Sequence, residues 1–226
     1  MDAAIGPENM LWITHGSTNT KTKGRYMAVK PGAKGLELFY LTIDGKLEPF
    51  PEPGKDPTNV LVLGHEGTRV CASTDLVFLH VCDGNGSGYT GKNEETSWYY
   101  DVSERKAQIG RARGPNGKVF HSGAKNYDTA MTSDGGLVVV HCDGLKGGWP
   151  NILVSTDRGR TLKPVDKVAG PGSRSHQEAF YMACFPVRDV IYCWWQRIDH
   201  KFPMFGRVSL VDDKVRVESQ IGRAHV

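Results

Sequence analysis

The sequence predicts an all-β protein assembled from repeated units of four short strands. Three observations point there. The 226-residue chain carries 27 Gly and 12 Pro among many Val, Tyr, Phe and Trp, a mixture suited to short strands and frequent turns. Its apolar runs, such as Leu76–Cys82, Leu137–Cys142 and Asp189–Trp195, are β-branched or aromatic and too short for a good helix. A Val-Ser pair recurs at Val102-Ser103, Val154-Ser155 and Val208-Ser209, 52 and 54 residues apart. A period of about 50 residues, each holding four short strands, is the signature of a β-propeller blade. An irregular β-sandwich is the alternative.

Taken in order, the second strands of the repeats are Met10–Gly16, Leu76–Gly84, Leu137–Gly144 and Asp189–Trp195. First strands precede three of them at Arg69–Ser73, Asp128–Thr132 and Glu178–Ala183, and the first repeat lacks an opening strand. Asp134-Gly135 joins two such strands and is a hairpin signal. Third and fourth strands gather around Ala28–Lys30 and the Val-Ser copies. Val29 and Val102 are 73 residues apart, and the Gly- and Pro-rich stretch Pro49–Pro57 can hold the excess. About four blades account for the chain, which is expected to be part of a six-bladed ring with a domain over residues 7–220. Ile221–Val226 matches one reading frame of a short-read sequencing adapter and is expected to be a non-native tail.

Composition limits the functions on offer. Hydrophobic residues are 39% and charged residues 23%, as in ordinary globular proteins. A net charge of +3, with Lys and Arg scattered, does not signal a nucleic-acid partner. No apolar run approaches the ~18 residues of a membrane-spanning helix. No charged-then-apolar signal peptide is visible, which leaves localisation undefined. The five cysteines, Cys71, Cys82, Cys142, Cys184 and Cys193, are odd in number, form no CxxC pair and sit in apolar runs. They read as buried free thiols rather than a zinc site or a disulfide framework. His15, His80, His141, His176 and His200 show no metal-ligand spacing, so no metal and no cofactor are expected. The Gly-rich stretch Gly84–Asn93 lacks Gly-Lys-Ser/Thr and reads as an inter-strand loop, with a formal glycosylation sequon at Asn85-Gly86-Ser87.

Ser155-Thr156-Asp157-Arg158-Gly159-Arg160-Thr161-Leu162 is the best-defined local motif. Asp157 can accept backbone N–H groups across a tight turn, Ser155 can add a further bond, and Gly159 can take a positive φ. Thr161 then opens the next strand. The octapeptide resembles the Asp box, Ser-x-Asp-x-Gly-x-Thr-Trp, of the bacterial neuraminidase repeat, with Leu162 at the aromatic position. The resemblance implies that Ser155, Asp157, Gly159 and Thr161 are structural, because these boxes lie away from the substrate pocket.

The same resemblance extends over about Asp128 to Ser209. In sialidases a Glu opening a strand follows an Asp box, and an Arg ends the next strand; here these are Glu178 and Arg197, 19 residues apart. Sialidases use a Tyr nucleophile, because the substrate's own carboxylate would repel a carboxylate nucleophile. By resemblance, Glu178 is the base for that Tyr and Arg197 one of the arginines that grip the substrate carboxylate. The Phe/Tyr-Arg-Ile-Pro motif is missing, and the Tyr and final Arg belong to later blades of the family. The isolated chain is therefore expected to be inactive. The plain alternative is a strand-start carboxylate and a solvated strand-end cation.

Three functions follow as expectations: a sialidase-like glycosidase fragment acting on terminal sialic or related acidic sugars, a non-catalytic propeller binding glycans or proteins, and a hydrolase of other glycans using Asp128 with Glu178. The expected partner is a carbohydrate ligand or glycoconjugate, and the chain is expected to be a monomer. Trp194 and Trp195 must face opposite sides of a strand, so only one is core. Trp195 is assigned with Asp128 and Arg197 to substrate binding, with inter-sheet packing as the alternative.

Overall fold

Each repeat folds as an antiparallel meander. The computed structural model describes residues 2–15, 24–33, 35–42, 44–52, 55, 62–63, 66–82, 97–119, 127–142, 151–165, 180–197 and 204–221. The first sheet runs β1 (Asp2–Ile5), β2 (Leu11–His15), β3 (Gly24–Gly32), β4 (Gly35–Leu41) and β5 (Leu47–Pro49), with β6 (Val62–Leu63) paired to β3. The second holds β7 (Glu66–Ala72), β8 (Leu76–Cys82), β9 (Ser97–Asp101) and β10 (Gln108–Arg111). The third holds β11 (Tyr127–Met131), β12 (Val138–Cys142), β13 (Asn151–Ser155) and β14 (Lys163–Pro164). The fourth holds β15 (Phe180–Val187), β16 (Val190–Arg197), β17 (Met204–Val211) and β18 (Lys214–Ile221). The described residues contain no α-helix, and no helix is long and apolar enough to cross a membrane.

The sheets stack in chain order. The first strands touch in series, β1 on β7, β7 on β11 and β11 on β15. Three apolar clusters fill the spaces between neighbouring sheets. Strand β8 shows why its sequence is a continuous apolar run: Leu76, Val77, Phe78 and Leu79 are all fully buried. Val77 and Leu79 meet Trp12 and Met10 of the first sheet, while Leu76 and Phe78 meet Val138 and Val140 of the third. Strand β12 repeats this, with Leu137 and Val139 packed with Ile191, Cys193 and Trp195 of the fourth sheet. Among the described residues, the first and fourth sheets are covered on one face only. Exposed large hydrophobic side chains therefore fall there: Ile5, Leu11, Leu36 and Leu38 on the first sheet, Phe185, Val187 and Phe205 on the fourth.

Two expectations change. The first repeat does have an opening strand: β1 pairs with β2 from Asp2↔Thr14 to Ile5↔Leu11, so the folded region starts before residue 7. Two of the four β1 residues are alanine, which hides the strand from propensity; its pairing and the Asp2 contact described below hold it. At the other end, Ile221 pairs with Met204 inside the sheet, and residues 222–226 of the expected tail lie outside the described residues. Gly84–Asn93, Glu178, His176 and His200 also lie outside them.

The Ser155–Leu162 turn forms as its residue types require. Asp157 Oδ1 accepts the Thr161 N–H at 2.8 Å and the Ser155 hydroxyl at 2.6 Å, and Ser155 Oγ accepts the Gly159 N–H at 2.8 Å. Leu162 is fully buried between the second and third sheets and fills the apolar position under the turn. The same Ser/Thr-x-Asp chemistry closes Ser73–Asp75 and Thr132–Asp134, where the hydroxyls donate to the carboxylates at 3.0 and 2.6 Å. Gly159 has φ +79°, and a Cβ there would stand 2.7 Å from the Phe78 ring. Gly117 has a similar φ of +73° but open space around it. Gly159→Ala should lower unfolding free energy by about 1–3 kcal/mol, and Gly117→Ala by less, in urea titrations. Equal losses would mean that the Phe78 contact is relieved at no cost.

Candidate functional site

The sheets present two opposite edges. Hairpin turns β7–β8, β11–β12 and β13–β14 form one; the starts of β1, β7 and β11 and the ends of β2, β8 and β12 form the other. They differ in chemistry.

The hairpin edge is tied by charge. Asp101 ends β9, is only 2% exposed, and receives Arg158 through Nε to Oδ2 at 2.9 Å and Nη2 to Oδ1 at 3.0 Å. Arg160 Nη2 adds a bond to Oδ2 at 2.9 Å, and the Ser103 hydroxyl donates to Oδ1 at 2.7 Å. Arg158 also reaches Asp75 at 2.8 Å, so the turn of the third sheet clamps the second. Burial alone would raise the Asp101 pKa, but the bonds from Arg158 and Ser103 outweigh it and hold the carboxyl well below its ordinary value. This network escaped sequence reasoning because its members are far apart in the chain and follow no motif. It is structural.

The strand-start edge carries buried polar groups. Asp2, Arg69 and Asp128 lie on successive first strands, opposite Thr14, His80 and His141 on the second strands. Asp2 Oδ2 accepts the Val70 N–H at 2.9 Å, joining the first sheet to the second. Asp128 Oδ1 faces Arg69 Nε at 3.4 Å, and its Oδ2 accepts the Cys184 N–H at 2.6 Å, joining the second, third and fourth sheets. Burial is the largest influence on Asp128 and keeps its pKa above the ordinary value, against the bonds from Cys184 and Thr129 and the charge of Arg69. Thr14, His80 and His141 are fully buried. His80 Nδ1 pairs with Ser97 Oγ at 2.6 Å, whereas both ring nitrogens of His141 lack a hydrogen-bond partner among the described residues. Burial lowers both histidines to about 3, His80 with help from the Arg69 charge, so both rings are neutral at pH 7.

Cys184 and Cys193 stand directly opposite on β15 and β16, with Sγ atoms 3.5 Å apart. A His141 ring nitrogen and the two sulfurs all lie within 4.8 Å of one another. This is the one described group of His, Cys, Asp or Glu able to hold a metal ion. Cys71 is also a free buried thiol, pushed up to about 12 by burial. Cys71, Cys184 and Cys193 are free thiols, Cys184 only half-buried, and the side chains of Cys82 and Cys142 lie outside the described ones; the convergence of two of these thiols with a histidine was not foreseen.

The residues expected to bind substrate separate. Trp195 is only 2% exposed, lies in the cluster between the third and fourth sheets and stands edge-on to His141 at 5.2 Å. Its assignment to a sugar is corrected: Ile191, Cys193 and Trp195 share the inward face of β16, so Trp194 has the outward phase. Arg197 ends β16 opposite Phe180, at the edge where Asp128 lies. On the outer face of the fourth sheet, Tyr192, Phe205, Gly206, Arg207 and Glu218 line a groove of about 250 Å³. The Arg207–Glu218 ion pair at 3.0 Å crosses it.

Asp101 yields a pH prediction. Because its folded pKa is depressed, its stabilisation is complete above the unfolded value of about 3.9 and is lost as pH falls toward the folded value. Asp101→Asn should cost about 3–5 kcal/mol at pH 7, as expected for one partner removed from a buried pair. It should also flatten the loss of stability as pH falls below about 4. Parallel acid-side slopes in urea unfolding of variant and wild type would contradict this. In comparisons with known proteins, no family model matches the chain, and a search of curated proteins finds no match.

Proposed function

We propose that the four sheets are blades of a sialidase-like β-propeller of the Asp-box class, and that its strand-start edge faces a terminal acidic sugar. The observation that carries this reading is the serial packing of the first strands β1, β7, β11 and β15. The bonding of the Ser155–Leu162 turn supports it. In this reading the exposed apolar side chains of the first and fourth sheets are blade faces, covered by further blades of a six-bladed ring. Glu178 is the base for a Tyr nucleophile, and Arg197 grips the sugar carboxylate.

A second reading, a glycan-binding propeller without hydrolysis, is favoured by one observation. Asp2 and Asp128 at this edge each accept an inter-sheet backbone N–H. Asp128 also faces Arg69 at 3.4 Å, so each of its oxygens takes part in a contact between sheets. This argues against pairing Asp128 with Glu178 for hydrolysis of neutral glycans.

The isolated chain should release no sialic acid from a fluorogenic sialoside. It should bind sialylated glycans in preference to their asialo forms. Arg197→Ala should weaken that binding by at least about tenfold, the loss of a charge-assisted hydrogen bond of ~1.5–3 kcal/mol. Equal retention of sialylated and asialo glycans would remove the acidic-sugar reading. Release of sialic acid that disappears in Glu178→Gln would select the catalytic form.

A further inference from the structure

We propose that His141, Cys184 and Cys193 form a binding site for a single thiolate-seeking d10 cation, Cu(I) or Zn(II), between the third and fourth sheets.

Cys184 and Cys193 are cross-strand partners on β15 and β16, which fixes both sulfurs on one side of the sheet. That side faces β12, where His141 follows Leu137 and Val139 on the face turned to the fourth sheet. Two sheets thus deliver three ligands to one point without any loop. The sulfurs are 3.5 Å apart, and all three ligand atoms fall within 4.8 Å of one another. With metal–sulfur bonds near 2.3 Å, two thiolates on one tetrahedral cation stand roughly 3.8 Å apart. The sulfurs therefore need to separate by only a few tenths of an ångström.

A second, independent observation points the same way. His141 is fully buried, and neither ring nitrogen has a hydrogen-bond partner among the described residues. A buried imidazole left without partners costs free energy. A metal bond to one nitrogen would remove that cost at the atom nearest the sulfurs. Trp195 packs edge-on against the ring and limits its rotation.

The ligand set selects the cation class. Two thiolates and an imidazole suit Cu(I) and Zn(II) and are poor for Mg(II) or Ca(II), which take oxygen ligands. Three ligands in an apolar cluster satisfy Cu(I), which is content with low coordination; Zn(II) would complete a tetrahedron with one water. Cys184 is part-exposed, whereas Cys193 and His141 are buried, so the cation enters past Cys184. Binding displaces the two thiol protons to solvent and leaves the metal's oxidation state unchanged.

The test uses the full chain, reduced and stripped of metal. Cu(I) and Zn(II) are titrated in separate arms against chromophoric chelators, with Co(II) as a spectroscopic probe. The expected result is one equivalent bound in at least one arm, a thiolate-to-cobalt charge-transfer band, and a higher melting temperature with metal. The arm with the tighter binding identifies the ion. Cys184→Ser, at the least buried ligand, should fold as judged by circular dichroism, lose the charge-transfer intensity of one thiolate and bind at least about tenfold more weakly. His141→Gln should weaken binding likewise, and bound metal should protect Cys184 from alkylation. Failure to compete with the chelators in both arms would overturn the proposal. So would undiminished binding by Cys184→Ser, or a Cys184–Cys193 disulfide that forms equally fast with and without metal.

Discussion

A strand with no exposed face dictates this architecture. Leu76–Leu79 and Leu137–Val140 are buried on both sides. Neither could be stable in a single sheet, because about half of its apolar surface would face water. Each therefore needs a sheet on either side, and the chain supplies them in order, with one apolar cluster per gap. Everything else follows from stacking sheets in register: which ends of strands meet, and which polar side chains are forced into the gaps.

The two edges answer that constraint differently. At the hairpin edge, the gap between second and third sheets is closed by full-strength ion pairs on Asp101, with Arg158 held at φ +61° to deliver them. Every oxygen of that carboxylate has a cationic or hydroxyl donor. At the strand-start edge, carboxylates of Asp2 and Asp128 cross the gaps to backbone N–H groups, and the histidine rings are neutral. Among the described residues, both ring nitrogens of His141 remain there without a hydrogen-bond partner. A buried polar atom without a partner is one that a bound ligand or metal can satisfy.

Most of the fold was legible because burial leaves a strong mark. The continuous runs of β8 and β12 and the Val-Ser spacing located three sheets, and Ser155, Asp157 and Gly159 specified their turn through local chemistry alone. What was lost lay beyond local chemistry. Strand β1 is too short and too alanine-rich to stand out, and its stability comes from Thr14 and the distant Val70. Trp194 and Trp195 were known to face opposite ways, but which faces inward depends on the phase set by Ile191 and Cys193. The convergence of His141 with two cysteines depends on how β12 sits over β15, a relation between sheets that no spacing encodes. Glu178 lies outside the described residues, so the base expected from the resemblance rests on sequence alone.

Asp128 links these findings. As a catalytic carboxylate it would need an oxygen free to exchange a proton with a substrate. One oxygen instead takes the Cys184 N–H at 2.6 Å and the other faces Arg69. Burial raises its pKa despite both contacts. Its geometric effect is specific: it fixes the backbone of Cys184, and with it the position of that thiol relative to Cys193. A positioning role for Asp128 therefore uses its bond to the Cys184 backbone, whereas acid–base work on a glycan would compete with that bond and with the Arg69 contact.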